Sequence, residues 1–287
     1  MSSQNSWRHH VIPQFYLRAF TNLDHKLYRL EKAHWHGKWL SPRQVGFKPH
    51  FHRVPGRTIT LEPMLDRQVE SVLAPSHQRM QGALRFGEVF PQAERDALNR
   101  MVAHQLVRLP HQRTRLQDLI QQVAQARRIP LSAAELEKTT QLQHLRMISS
   151  LETRVVRDLT ETVASFQVSF LKAGRGLTFW TGDVPLVIGR ADPHTGRVQS
   201  SLDLPLGQVQ TQLYFPLARD LVAVFHHGTL PMPPLRILIA KAPEVEWVNT
   251  RILANAHRDV FSAGKIDVDP ALQRALMQGG ARIDLDR

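Results

Sequence analysis

Two short stretches in the last third of the chain, Gln210-Thr-Gln-Leu-Tyr-Phe-Pro and Asp220-Leu-Val-Ala-Val-Phe, decide the fold class. Both are rich in β-branched and aromatic residues and end at turn-forming residues, which is typical of β-strands. Leu177-Thr-Phe-Trp-Thr and Pro185-Leu-Val-Ile-Gly have the same character. The sequence therefore predicts an antiparallel sheet within residues 173–287.

Segments with the apolar spacing of α-helices precede and follow these predicted strands in the sequence. From Glu62 to Lys172 the apolar residues recur three and four positions apart, which favours α-helices. Pro110 is expected to break one helix, and Leu142 to Phe170 is expected to form a single long one. Ser132 with Glu135 three residues later predicts a capping box. Two further helices are predicted after the sheet strands, over residues 244–261 and 269–277.

Residues 26–60 alternate between apolar and polar side chains, which predicts hairpin strands with turns at Gly37 and Pro55-Gly56. The fold class is therefore α+β: an N-terminal β-hairpin region, a helical middle and a C-terminal antiparallel sheet with a closing helix. We expect one domain over 1–287, made of a basic hairpin region (1–60), a helical part (61–172) and a sheet with a helix (173–287).

Composition excludes several classes of protein. The 287-residue chain has no cysteine, so disulfides, thiolate metal sites and a cysteine nucleophile are excluded. No apolar stretch reaches the roughly 18 residues that a membrane-spanning helix needs. The polar residues 1–7 lead into Arg8 and His9 without an apolar segment, so we expect no signal peptide and a cytoplasmic location.

The formal charge of +12 is concentrated in two segments. Residues 1–60 carry ten basic and two acidic side chains, and residues 100–128 carry six and one. Clustered cations favour a phosphate-bearing polyanion such as DNA or RNA, and we expect the two segments to share one face. The alternative is codon bias, since 29 of the 37 basic residues are arginine.

Several motifs carry a resemblance to a known family. The segment His9-His10-Val11-Ile12-Pro13-Gln14-Phe15-Tyr16-Leu17-Arg18-Ala19-Phe20 resembles the N-terminal signature of a widespread bacterial family of uncharacterised proteins. Residues 103–113 resemble its central helix, and 248–262 its closing helix and strand. Residues 179–185 resemble its Phe-x-Thr-Ser-Asp-x-Pro turn, with Gly182 where serine is usual. The resemblance spans nearly the whole chain and implies no particular activity.

The candidate catalytic residues are His9, His10 and Asp183. Adjacent histidines in an extended segment point to opposite sides, so one can face a cleft as a general base while the other packs inward. Asp183 follows a predicted strand and would bind a metal ion or orient a histidine. The alternative roles are structural: histidines bonded to backbone carbonyls, and an aspartate that stabilises a turn.

The candidate substrate-binding residues are polar groups from the same motifs. His104, Arg108, His111 and Arg115 would form one polar stripe on a helix, where arginine could grip phosphate. A solvated helix face is the alternative. The full set of expected substrate-binding residues is Gln14, Gln105, Arg108, Arg113 and Arg258.

The metal ligands and cofactor stay open at this stage, with a divalent metal ion as one candidate. The pairs His34-x-His36 and His50-x-His52 have the spacing that places two imidazoles on one face of a strand. Residues 9–13 also resemble the first strand of ββα-metal nucleases, with Asn22 and His34 at tolerable distances for the rest of such a site. However, residues 26–36 alternate like a strand, where that fold needs a helix.

Together these features predict a nucleic-acid-processing phosphodiester hydrolase with a histidine base and arginine phosphate grips. The alternative is a non-catalytic module that binds nucleic acid or protein through the same charges. The sequence indicates no oligomeric state.

Overall fold

The computed structural model describes residues 8–57, 59–88, 90–191, 198–200, 206, 211–227 and 235–278. It confirms the α+β class. The strands are β1 (Arg8–His10), β2 (Leu27–Glu31), β3 (His36–Leu40), β4 (Phe47–Pro49), β5 (Gln167–Ala173), β6 (Thr181–Gly182), β7 (Val187–Ala191), β8 (Val198–Ser200), β9 (Thr211–Ala218), β10 (Leu221–His226), β11 (Ile237–Ala240) and β12 (Asp259–Ser262). The α-helices are α1 (Gln14–Arg18), α2 (Glu62–Leu65), α3 (Ser71–Phe86), α4 (Gln92–Arg108), α5 (Pro110–Ala126), α6 (Ala133–Ile148), α7 (Arg154–Ala164), α8 (Ala242–Asn255) and α9 (Pro270–Gln278).

The largest sheet among the described residues has the strand order β11-β5-β10-β9-β7-β8. Its central strands β9 and β10 are buried on both faces. Alternate side chains enter two different cores, so Phe215 packs with the helices of the middle region and Tyr214 packs with α8. One prediction is corrected: β11 runs parallel to β5, so the sheet is mixed. Residue patterns report the burial of a strand but not the direction of its neighbour.

A second sheet joins the two ends of the chain in the order β3-β2-β12-β6. The predicted hairpin is confirmed, because β2 and β3 pair antiparallel from Leu27 opposite Leu40 to Glu31 opposite His36. The turn precedes Gly37, which lies inside β3 rather than at the turn as predicted. Strand β12 completes this sheet beside β2, so the N-terminal hairpin is continuous with the C-terminal part of the fold.

The helical middle agrees with its local sequence signals. Helices α4 and α5 meet at Leu109, immediately before Pro110, as predicted. The capping box of α6 is also present: the Ser132 hydroxyl accepts the Glu135 N–H, and the Glu135 carboxylate accepts the Ser132 N–H at 2.9 Å. Helices α2 and α3 are joined by a π-helical turn, Asp66–Glu70. No described helix is both long and apolar enough to cross a membrane.

Four predicted elements are wrong in extent. The run from Leu142 to Phe170 contains α6, α7 and the start of β5, because Ser149, Ser150 and Thr153 bond to nearby backbone groups and interrupt the helix. The predicted helix over 244–261 ends at Asn255, since the following residues pair with β2 as β12. Of residues 177–181 only Thr181 lies in a strand. Among the described positions 57 and 59–61, only Thr60 forms a β-bridge, an isolated one with Arg53.

Candidate functional site

The site is built on the short pair of strands β1 and β4. They are antiparallel, with His9 opposite Lys48 and His10 opposite Phe47. His9 is completely buried, whereas His10 is partly exposed, which agrees with the alternation expected of an extended segment. The ring of His10 meets the edge of the Phe47 ring, with the centroids 6.3 Å apart. One histidine therefore faces the interior and the other faces the rim of the site.

The interior histidine belongs to what we call the inner cluster: His9, His52 and Glu62. The rings of His9 and His52 stack, with centroids 5.6 Å apart and planes inclined by 6°. The main-chain N–H of His52 donates to Nδ1 of His9 at 2.6 Å, and Nδ1 of His52 lies 2.6 Å from Oε1 of Glu62. One ligand-type atom from each of the three residues lies within 4.8 Å of the other two.

Burial sets the ionisation of the inner cluster. It holds the pKa of the His52 imidazole well below its usual value, and the nearby Arg108 acts in the same direction. Burial also raises the pKa of the Glu62 carboxyl, which Arg108 partly offsets. A neutral His52 that donates from Nδ1 to the Glu62 carboxylate has an unprotonated Nε2. That Nε2 is buried and has no hydrogen-bond partner among the described residues.

Arg108 lies beneath the site and is fully buried at the end of α4. Its Nη1 donates to Oε1 of Glu70 at 3.1 Å, and its Nη2 donates to the carbonyl of His10. In this arrangement both ends of the guanidinium fork are engaged inside the protein. The predicted stripe of four residues is not formed, because His111 and Arg115 lie on α5 beyond the break at Leu109.

A second group of residues gathers at the surface, and we call it the basic face: Lys48, His111, Arg113, His257 and Arg258. The Arg113 guanidinium lies over the Phe51 ring, 4.0 Å from its centroid, and Lys48 Nζ lies 5.4 Å from the same centroid. Arg113 also donates to the carbonyl of Phe51 at 2.7 Å. Arg258 reaches the carbonyl of Phe47 at 3.3 Å.

The histidines of the basic face connect its central and C-terminal parts. The rings of His111 and His257 lie with centroids 6.3 Å apart. Arg258 is also held by Asp259, with Nε of the arginine 2.8 Å from Oδ2 of the aspartate. The basic face therefore combines β4, the start of α5 and the segment before β12.

Asp183 is placed on backbone donors rather than on a histidine ring. Its Oδ1 accepts the main-chain N–H of His257 at 2.9 Å, and its Oδ2 accepts that of Arg258 at 2.8 Å. Burial raises the pKa of this carboxyl, and these two hydrogen bonds oppose that rise. Asp183 thus holds the segment that carries two members of the basic face.

The remaining predicted residues divide between the rim and the interior. Gln14 lies at the rim, with Nε2 3.3 Å from Nε2 of His10. Gln105 is buried on α4 beside Pro13 and Phe15, and its Nε2 has no hydrogen-bond partner in the described ranges. Contacts thus connect all the predicted site residues except Gln105 around β1 and β4, with His9 and Arg108 fully buried, Asp183 partly buried and the others towards solvent.

Sequence reasoning missed several members of the site. Lys48, Phe51, Glu62 and Glu70 were not singled out, although the pair His50-x-His52 contains one member of the inner cluster. His34 is exposed in the β2–β3 turn. The side chain of Asn22 accepts hydrogen bonds from its own loop, so these two residues do not assemble the ββα-metal arrangement.

Comparison with known proteins gives a family but no activity. No curated protein and no solved structure gives a significant match to the chain. A family model matches residues 8–265 and is described as "Protein of unknown function (DUF4238)". The resemblance to a family of uncharacterised proteins is therefore confirmed, and the chain belongs to this family of unknown function.

Proposed function

We propose that the basic face binds the phosphate backbone of DNA or RNA. The observation that carries this proposal is the convergence of cations from three separate segments, with Lys48 and Arg113 against the Phe51 ring and Arg258 on the carbonyl of Phe47. Residues distant in sequence meet here, and Arg258 is the member of this trio that forms an ion pair with a carboxylate among the described residues, Asp259. Such a cluster attracts a polyanion and releases its condensed counterions.

The electrostatics of Lys48 support the same function. Its pKa is lowered by partial burial and then by the nearby charges of Arg113 and Arg258. Three acidic residues lie close by: Glu137 acts on Arg113, Asp259 pairs with Arg258, and Asp183 accepts the main-chain N–H groups of His257 and Arg258. A bound phosphate would relieve the repulsion at Lys48, and a guanidinium presents a planar fork that suits phosphate oxygens.

Binding of labelled oligonucleotides tests this proposal. Fluorescence anisotropy with single- and double-stranded DNA and RNA should show binding at low salt. Lys48→Gln and Arg258→Gln should each weaken it severalfold, because each removes one phosphate contact. Arg154→Gln is the matched control, since it makes the same charge change at an exposed position on α7. Equal weakening by all three variants would contradict a localised binding face.

Hydrolysis of phosphodiesters is a second candidate function, and the position of His10 favours it. His10 is partly exposed and contacts Phe47, whose carbonyl accepts a hydrogen bond from Arg258. A base at the rim of a phosphate-binding face is placed to accept a proton from an attacking water. Gln14 beside the ring would fix its orientation.

Incubation with labelled DNA and RNA, in Mg²⁺, Mn²⁺ or EDTA, tests the hydrolase. Cleavage that His10→Gln abolishes while oligonucleotide binding persists would support it. Absence of cleavage under every condition, with binding intact, would leave the non-catalytic binding module as the function.

A further inference from the structure

We infer that the inner cluster, His9, His52 and Glu62, is a binding site for one divalent transition-metal ion. Two imidazoles and a carboxylate approach one another closely here, and Nδ1 of His52 lies 2.6 Å from Oε1 of Glu62. The inference does not depend on nucleic-acid binding by the basic face.

Three elements fix the cluster. His9 comes from β1, His52 follows β4, and Glu62 is the first residue of α2. Both imidazoles are completely buried, and the side chain of Glu62 is 25% exposed. The 4.8 Å limit on the separation of their ligand atoms exceeds the roughly 3.4 Å between donors around a tetrahedral ion with bonds near 2.1 Å. Side-chain adjustment of about an ångström would therefore close the site.

The donor set indicates the class of metal. Neutral imidazole and carboxylate ligands suit Zn²⁺ and neighbouring first-row ions such as Co²⁺, whereas Ca²⁺ prefers sites made of oxygen. Three protein ligands would leave one tetrahedral position for water or a substrate oxygen. Glu62 is also the only one of the three that is not fully buried, so its side is the direction from which an ion can enter.

Nδ1 of His52 is the nitrogen that shares the ion with Glu62. It lies 2.6 Å from Oε1 of Glu62, so an ion bound by both residues takes the place of this hydrogen bond. The two imidazole nitrogens point to opposite sides of the ring, so Nε2 then carries the proton. The cluster therefore holds a nitrogen and a carboxylate oxygen side by side, as two ligands of one ion must be.

His9 and Arg108 limit the expected affinity. Because Nδ1 of His9 accepts the His52 N–H, a neutral His9 carries its proton on Nε2. Ligation must displace either that proton or the main-chain hydrogen bond. The positive charge of Arg108 also acts on Glu62, although Glu70 pairs with Arg108. We therefore expect micromolar binding rather than the tighter binding of a preformed structural zinc site.

Metal titration of the purified full-length chain tests the inference. After EDTA treatment and its removal, isothermal titration with Zn²⁺ and absorption spectroscopy with Co²⁺ should show one ion per chain. Glu62→Gln keeps the size of the side chain and weakens a ligand, so the affinity should fall at least tenfold. His52→Asn should fall further, and circular dichroism checks that each variant is folded. His34→Asn is the matched control, because His34 is exposed in the β2–β3 turn, away from the inner cluster.

The outcomes separate cleanly. Binding of one ion that survives His34→Asn and is lost in Glu62→Gln supports the site. Absence of one-to-one binding in the wild-type chain overturns it, as does equal binding in wild type and Glu62→Gln. If His52→Asn does not fold, Glu62→Gln alone decides. Because the titration contains no nucleic acid, its failure would leave the proposed function standing.

Discussion

Arg108 is a fully buried guanidinium that holds two acceptors, the Glu70 carboxylate and the His10 carbonyl. A cation on a helix near other basic residues suggests a phosphate grip, but sequence alone does not report burial. In the structure the contribution of Arg108 is to connect α4 with β1 and with the π-helical turn. Its predicted role in substrate binding then requires Arg108 to leave these partners.

Replacement of Arg108 separates these two roles. We expect Arg108→Met to lower the free energy of unfolding by about 3–5 kcal/mol, because it leaves a buried carboxylate and a buried carbonyl without their partner. Urea denaturation measures this. Arg127→Met, at an exposed position at the end of α5, should change stability by no more than about 0.5 kcal/mol. A stable Arg108→Met protein that has lost oligonucleotide binding would instead favour the phosphate grip.

His77 is a buried histidine whose neutral state should make the stability of the protein depend on pH. Its Nε2 donates to the carbonyl of Leu217 at 2.8 Å, and burial lowers its pKa to about 4. An unfolded histidine titrates near pH 6.5, so between about pH 6.5 and pH 4 the unfolded state binds more protons than the folded state. This contribution to stability is therefore complete above pH 6.5 and is lost as the pH falls through that range.

Replacement of His77 by glutamine keeps a donor for Leu217 and removes the titration. Between about pH 7 and pH 5 the wild type should lose on the order of 2 kcal/mol more stability than His77→Gln. Urea unfolding at each pH measures the difference. Partly buried carboxyls with raised pKa values act in the opposite direction, but both proteins contain them: Glu62, Glu70 and Asp183. Parallel pH profiles for the two proteins would contradict the buried neutral state.

The members of the site differ in how far sequence reveals them. His9, His10 and Arg258 stand in recognisable motifs, so they could be named in advance. His52 and Glu62 lie 43 and 53 positions beyond His9, and only the pairing of β1 with β4 and the start of α2 bring them together. The spacing of His50 and His52 predicts two imidazoles on one face of a strand. In the structure the ring of His52 is buried and that of His50 is exposed, so only His52 belongs to the inner cluster.

At the scale of elements, helix-breaking and helix-capping residues predict the ends of helices correctly. Pro110 ended α4, and Ser132 with Glu135 capped α6. The beginning of β5 was missed because Val168 and Phe170 continue an apolar run that fits a helix as well as a strand buried on both faces. Which strand a segment pairs with depends on distant residues, so the parallel position of β11 had no local signal.

The hairpin of β2 and β3 offers a prediction at this scale. A Cβ atom on Gly37 would lie 2.2 Å from the hydroxyl oxygen of Tyr28, whose ring also packs against Trp39. We expect Gly37→Ala to destabilise the protein by about 1–3 kcal/mol, because the Tyr28 ring must move. Gly82→Ala, in open space on α3, should stabilise by about 0.5–1 kcal/mol. Thermal unfolding compares the two, and an unchanged Gly37→Ala protein would show that Tyr28 moves away without cost.

At the scale of the whole molecule, a late strand of the chain pairs with an early one. Strand β12 lies between β2 and β6, and the residues immediately before it carry His257 and Arg258 to the strands near the N-terminus. One cation from residues 1–60, Lys48, and one from residues 100–128, Arg113, therefore meet at the ring of Phe51. Together with Arg258 they are the basis of the proposed function.

The salt dependence of nucleic-acid binding tests this surface most directly. Dissociation constants for a labelled DNA duplex are measured from about 50 to 200 mM salt for the wild type and for Lys48→Gln/Arg258→Gln. Each phosphate contact contributes about 0.9 to the slope of log affinity against log salt, so the double variant should have a slope shallower by about 1.8. Equal slopes for the two proteins, or no binding by the wild type at the lowest salt, would contradict phosphate recognition by the basic face.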